Sequence, residues 1–388
     1  MTTPGPGLTR ALVALCLTEI VSWGTLYYSL PVAVSQIAGD TGWSDELITG
    51  IFSASLAISA IMAIPVGRLI DRIGPRIVMT AGAAVSSAAL AAVGLSRTLP
   101  EFILAWLIAG AAQAGVLYPP AFTAITRWYG AKRTWPLTIV TLTGGLASTV
   151  FAPLTAHLAA SLGWHKTYFV LAALTAVITI PLHAVFLSPP WPGLRKSKSE
   201  HSRTATSIRR SAKFRCLQVS LTAIMLALFA VTINMVPLMM ARGRSYQTAA
   251  TTRGLVGAGQ LAGRFLFTVL PRHAAPSSQL TVLTVTGAVA LGLIAVIPGP
   301  AAILIASAIF AGAIRGSATL VQANAVSERW GTEQYGTLNG LLSAPVTFAM
   351  AAAPFLGSFV FGLTGSTAMT AAIFALVGLV GVVFATKS

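Results

Sequence analysis

The chain has 388 residues, of which 55% are hydrophobic and 9% charged, with a mean hydropathy of +0.80. Soluble domains carry roughly 25% charge, so composition excludes a water-soluble core and places the chain among polytopic membrane proteins. The net charge of +16 is then a question of its distribution across a bilayer rather than of a nucleic-acid partner, and Cys16 and Cys216 imply neither a disulfide framework nor a metal site.

A bilayer is crossed by about 20 apolar residues in a helix. Such stretches fall near 10–37, 46–66, 76–95, 100–124, 135–157, 166–187, 216–240, 252–270, 278–297, 301–325, 334–358 and 365–385. The first runs from Ala11 to about Ala38, longer than the apolar region of a signal peptide, and is expected to be a retained span. Twelve spans put both termini on one side. With that count, 19 Lys and Arg residues fall on one side and five on the other, which makes the first side cytoplasmic. The expectation is an all-α protein with twelve transmembrane helices and cytoplasmic termini in the cytoplasmic membrane.

Between the second and third spans lies GRLIDRIGPR, Gly67 to Arg76. Four charges cannot stay in hydrocarbon, so the segment is expected as a tight turn at the membrane surface. The stretch 188–215 is the long linker, first proline-bearing and then rich in Ser and basic residues. It separates six spans in 1–187 from six in 216–388. A shift of 202 sets Gly110-Ala111 on Gly312-Ala313, Arg127-Trp128 on Arg329-Trp330 and Gly163 on Gly365, and Gly67-Arg68 finds a counterpart in Gly263-Arg264. Two pseudo-symmetric six-helix bundles are predicted.

Ionisable groups inside spans are functional candidates, since each costs at least ~2.5 kcal/mol there. Glu19 and Arg315 stand out, at similar depths from the cytoplasmic ends of helices 1 and 10. Gln113 occupies the place of Arg315 in the other half, with Tyr118 five residues on, before Pro119-Pro120 weakens the helix. Tyr27 and Tyr28 follow Trp23 at near-helical spacing, and Asn234 precedes Pro237 as Tyr28 precedes Pro31. Each is equally suited to an interhelical polar contact. Gly257-x-Gly259-x-x-x-Gly263 has no preceding strand and is expected to serve close helix packing. The histidines lack metal-ligand spacing, and Trp43, Trp164 and Trp330 at span ends are expected as interfacial anchors.

The decapeptide resembles the G-x-L-x-D-R-x-G-R-R pattern of the major facilitator superfamily, matching at Gly67, Leu69, Asp71, Arg72, Gly74 and Arg76, with Pro75 in place of the first basic residue of the final pair. That resemblance implies a gating role for these residues, with Asp71 meeting the N-terminus of helix 11 near Glu333-Gln334 when the cytoplasmic face is shut. The alternative is a simple N-cap for helix 3. It also implies that helices 1, 4, 7 and 10 line a cavity, into which Glu19 and Arg315 would face: Arg315 to bind an anionic group and Glu19 to carry a coupling proton, or the two as a fixed ion pair. Gln260 and Arg264, one turn apart, resemble the Asp-x-x-x-Arg pair on helix 8 of monocarboxylate transporters, with Gln260 where the acid would be. The tracts TEIVSWGTLYYSLPV and LMMARG resemble the same bacterial branch.

The function expected is therefore a non-enzymatic, monomeric secondary transporter without cofactor or metal. It would carry a small organic anion such as a monocarboxylate by alternating access, coupled to protons. A drug or metabolite exporter is the alternative, and a non-translocating receptor or scaffold the alternative of another class.

Overall fold

Lipid cannot satisfy backbone N–H and C=O groups, so a spanning chain must satisfy them within helices or closed barrels. This chain uses helices. The computed structural model describes residues 6–191, 205–269 and 275–388; residues 192–204 of the basic linker, and Arg272, lie outside them. Twelve long helices follow one another among the described residues: α1 (Pro6–Thr41), α2 (Asp45–Ile73), α3 (Pro75–Leu95), α4 (Leu99–Lys132), α5 (Thr134–Leu162), α6 (Trp164–Phe186), α7 (Ala212–Ile233), α8 (Tyr246–Val269), α9 (Pro276–Val296), α10 (Ala301–Trp330), α11 (Tyr335–Thr364) and α12 (Thr367–Ala385). Eleven are long and apolar enough to cross a membrane. α8 falls short because Arg253, Gln260 and Arg264 interrupt its apolar sequence.

Several helices are broken where the site will lie. α4 ends its first segment at Val116 and restarts at Tyr118, because Pro119 and Pro120 fit only a first turn, where no intrahelical N–H is needed. α7 stops at Asn234 and resumes as Met235–Met240, with Pro237 in the new turn. α1 and α6 each contain a π-helical turn, at Gly24–Tyr28 and Thr175–Thr179.

The chain forms two compact units, one of Met1–Lys198 with Gly331–Ala344, the other of Ser199–Trp330 with Pro345–Ser388. Within unit 1, α4 packs on α2 and α3, α3 on α6, and α6 on α1; within unit 2, α10 packs on α8 and α9, α9 on α12, and α12 on α7. The second set is the first advanced by six helices, so the internal repeat is a repeat of packing. Glycine shows it at atomic scale. A side chain at Gly110 would meet the Ser55 carbonyl of α2, and one at its repeat mate Gly312 would meet the Val256 carbonyl of α8. Gly259 and Gly263 of α8 lie against Ile309 and Ala313 of α10, and Gly316 of α10 lies against Gln260 of α8. Small residues let two backbones meet where lipid supplies no hydrophobic driving force.

Ile77, Val85 and Leu95 on α3, and Phe169, Val177 and Val185 on α6, are exposed at helical intervals, a surface suited to lipid rather than water. Trp164 differs from its expected interfacial place. It is 2% exposed, with its ring against Phe102 and Tyr168 and its N–H on the Asp40 carboxylate, so this side chain turns into the bundle while the neighbouring His165 and Lys166 stay open.

Candidate functional site

Glu19 sits in the middle of α1, fully buried, and neither carboxyl oxygen has a well-formed hydrogen bond. The Trp23 indole N–H, one turn on, approaches the carboxyl without forming an aligned bond. Trp23 opens an aromatic group: its ring lies 5.1 Å from Tyr27 and 4.8 Å from Tyr118, and Tyr27 lies 5.1 Å from Tyr28. Tyr118 stacks on Phe122 and donates its hydroxyl to the Thr141 carbonyl at 3.2 Å. Tyr27 and Tyr28 belong to the π turn, which takes an extra residue into the helix and re-aims side chains. The Leu26 carbonyl of that turn accepts from Gln113 Nε2 at 3.3 Å, so the buried Gln113 ties α4 to the irregular part of α1. The sequence singled out Glu19, Gln113, Tyr27 and Tyr28 separately; unit 1 gathers them along α1 and the facing turn of α4.

In unit 2, Arg315 of α10 donates from Nη1 to Thr232 Oγ1 at 3.1 Å, and its guanidinium lies 3.5 Å from the Phe229 ring centre. Thr232 gives its own proton to the Leu228 carbonyl, leaving a lone pair for the arginine. A cation over an aromatic face, with a hydroxyl acceptor beside it, is held in place while remaining a cation. Phe229 and Thr232 escaped the sequence reading, although aligning Pro237 with Pro31 sets Phe229 on Trp23. Asn234 is placed at the break in α7. Its Nδ2 donates to the Ala230 and Pro354 carbonyls at 2.9 and 3.2 Å, and its Oδ1 accepts from Ser358 Oγ at 3.0 Å, so this amide braces the break against α11. Gln260 and Arg264 lie on α8 at the glycine crossing, where Ser317 Oγ donates to the Gly263 carbonyl at 3.0 Å; Arg264 is 6% exposed.

The decapeptide forms the second site, within unit 1. Gly74, at φ +84°, ends α2, and α3 starts with Pro75 without a side-chain cap. Asp71 instead caps α11. The Gly336 N–H donates to its Oδ1 at 3.0 Å, and the Thr337 N–H and hydroxyl donate to its Oδ2 at 2.6 and 2.8 Å. Three donors and a positive helix end stabilise a carboxylate that is only 3% exposed. A side chain at Gly67 would strike the Gly336 carbonyl, and one at Gly340 the Ala63 carbonyl, so small residues bring α2 and the start of α11 together. Arg127 donates to the Glu333 carbonyl just ahead of α11. Arg76 Nε donates to the Ala184 carbonyl at 2.7 Å, and Arg68 and Arg72 are exposed. Trp191, past the end of α6, was missed in the sequence. Its N–H donates to the Asp71 carbonyl at 3.3 Å, its ring lies 5.0 Å under the Arg127 guanidinium, and it fills the space a Gly74 side chain would need.

Among the described residues no group of His, Cys, Asp and Glu is disposed to hold a metal ion. Twelve long helices with a repeated packing pattern, carrying a buried Glu19 and a half-buried Arg315 at mid-span, fit a multi-pass membrane protein of the transporter class. The profile of the Major Facilitator Superfamily matches residues 15–306, and the chain belongs to that superfamily. It is similar to the oxalate:formate antiporter of Oxalobacter formigenes, 24% identical over 49% of this chain and 44% of that protein. It is also similar to the probable L-galactonate transporter of Escherichia coli K12, 26% identical over 46% of this chain and 37% of that protein. The matched part thus spans less than half the length of these relatives. Among solved structures, the E. coli fucose:proton symporter FucP superposes with a TM-score of 0.77 at 14% identity, covering 97% of this chain and 98% of that one. The human organic anion transporter MFSD10 (TETRAN) superposes with a TM-score of 0.76 at 16% identity, covering 99% of this chain and all of that one. These likenesses establish the fold.

Proposed function

We propose that this superfamily member is a secondary carrier of a small organic anion, with a carboxylate as its recognised group, working by alternating access in the cytoplasmic membrane with both termini inside. The observation that carries the reading is Arg315: a mid-span guanidinium held by Thr232 and Phe229, a cation that keeps its charge in a protein. Glu19, buried with neither oxygen well bonded, is the group to carry a coupling proton. Asp71 on the N-terminus of α11 is the latch that favours one state of the cycle, since a cap of this kind is made or lost as a unit. One relative is an oxalate:formate antiporter by name, which accords with an anionic substrate.

The test is uptake of labelled mono- and dicarboxylates into proteoliposomes with and without an imposed pH gradient. Arg315→Gln is expected to abolish saturable uptake while the protein still inserts and folds. Glu19→Gln is expected to retain exchange of anion for anion but to lose the response to the pH gradient; an unchanged response would end the proton role. One observation favours a second reading: Trp23, Tyr27, Tyr28 and Tyr118 along the Glu19 side of unit 1 form the kind of aromatic group that suits an organic cation. Refusal of every anion, with cationic dyes accepted, would establish that exporter reading instead.

A further inference from the structure

A second polar cluster lies at the other end of unit 1 from the decapeptide, where α1 ends and α6 begins. It borders a cavity of about 680 Å³ whose walls include Asp40, Trp43, Leu95, Arg97, His165 and Phe169. Nothing in the transport reading uses it. The basic-residue count assigns this end to the outside of the membrane.

The hydrogen bonding of His165 determines what the cluster can accept. Its Nδ1 lies 2.8 Å from the Gly94 carbonyl, which can only accept, so Nδ1 carries the proton. In the neutral ring Nε2 is then an acceptor, and it faces the Asp40 carboxylate at 3.9 Å. Asp40 Oδ2 also takes the Trp164 N–H at 2.8 Å, which fixes the carboxylate in place. In that ring form two acceptors oppose each other, too far apart for a bond between them. Asp40 keeps 58% and His165 40% of its side-chain surface exposed, so the gap is open to a visitor.

Distance discriminates among visitors. A metal ion bonded at ~2.1 Å to both atoms would have to open the angle between them to about 140°, far from tetrahedral. An N–H donor nitrogen at ~2.85 Å from both subtends about 90°, which two hydrogens of one ammonium reach with slightly bent bonds. A quaternary ammonium has no hydrogens to give. Trp43 lines the cavity with an aromatic side chain of the kind that suits a cation, and Arg97 on the same wall is placed to pair with an anionic group carried by the same molecule.

We propose that this cavity is a binding site for a primary ammonium group on a zwitterion, held by Asp40 and His165 Nε2 with Arg97 taking the anionic end. The exposed apolar Leu95 and Phe169 on its wall continue the lipid-facing stripes of α3 and α6. A phosphoethanolamine headgroup of a membrane lipid and a free amino compound present the same chemistry.

The experiment uses the full chain, purified in detergent and loaded with phosphatidylethanolamine or with phosphatidylcholine, its N-methylated counterpart, and reads retained lipid by native mass spectrometry. Soluble phosphoethanolamine is the competitor. Phosphatidylethanolamine is expected to be retained about tenfold over phosphatidylcholine, the ratio expected of one charge-assisted hydrogen bond. Asp40→Asn and His165→Phe are each expected to erase that preference, with Asp40→Asn leaving the melting temperature unchanged. Retention that resists the soluble competitor assigns the site to lipid; displacement of lipid by phosphoethanolamine assigns it to free amines. Equal retention of the two lipids, or a preference that survives Asp40→Asn, overturns the proposal and leaves the anion-transport reading intact.

Discussion

Asp71 gathers three donors from α11, and its neighbours account for the tightness of that contact. Thr337 supplies two of the three, so Thr337→Ala removes the hydroxyl bond alone and is expected to lower stability by about 1 kcal/mol. Asp71→Ala strands two N–H groups at the start of α11 and is expected to cost about 2–4 kcal/mol, seen as a lower melting temperature in detergent. Trp191→Phe keeps the packing on Gly74 but removes the donor to the Asp71 carbonyl, and its loss is expected to be smaller than that of Trp191→Ala. At this scale the sequence revealed charges more readily than their partners. Asp71, Glu19 and Arg315 were visible because charge is rare in an apolar chain. Thr337, Phe229 and Trp191 are ordinary residues whose importance comes from contacts distant in sequence.

Helices were legible to the extent that their rules are local. Apolar length gave the spans, and Pro119-Pro120 gave the break in α4. The π turn of α1 was not legible, because no residue preference marks the extra residue that places Tyr27 and Tyr28. Its Gly24 fits against the Phe151 ring, a contact between α1 and α5 that the local sequence does not encode. Trp164 misled for a similar reason: an aromatic at a span end is usually at the interface, yet this one is inside. The α8 and α10 crossing allows a test of packing. Gly263→Val would press a branched side chain into the Ala313 carbonyl, and the expected cost is about 1–3 kcal/mol in a reversible unfolding titration. Gly257→Val, with open space around it, is expected to be neutral.

For the molecule as a whole, duplication was the most legible property. The 202-residue offset predicted that Gly110 and Gly312 correspond, and each presses its helix to the equivalent neighbour. The charge count predicts orientation as well. Reporter fusions are expected to place the turn at Lys132-Arg133 inside the cell and the turn at Arg97 outside, and the reverse pattern would refute the inside termini.

The compact units do not simply follow the two halves of the sequence, because the segment Gly331–Ala344, which includes the start of α11, belongs to unit 1 and the rest of α11, from Pro345, to unit 2. Severing the chain in its basic linker and expressing the pieces apart would consequently produce an N-terminal fragment whose Asp71 has lost every donor it now receives from residues 336 and 337. Complementation by the C-terminal fragment would restore them, so reassembly of a split version of this protein should be driven in part by a carboxylate recovering its helix.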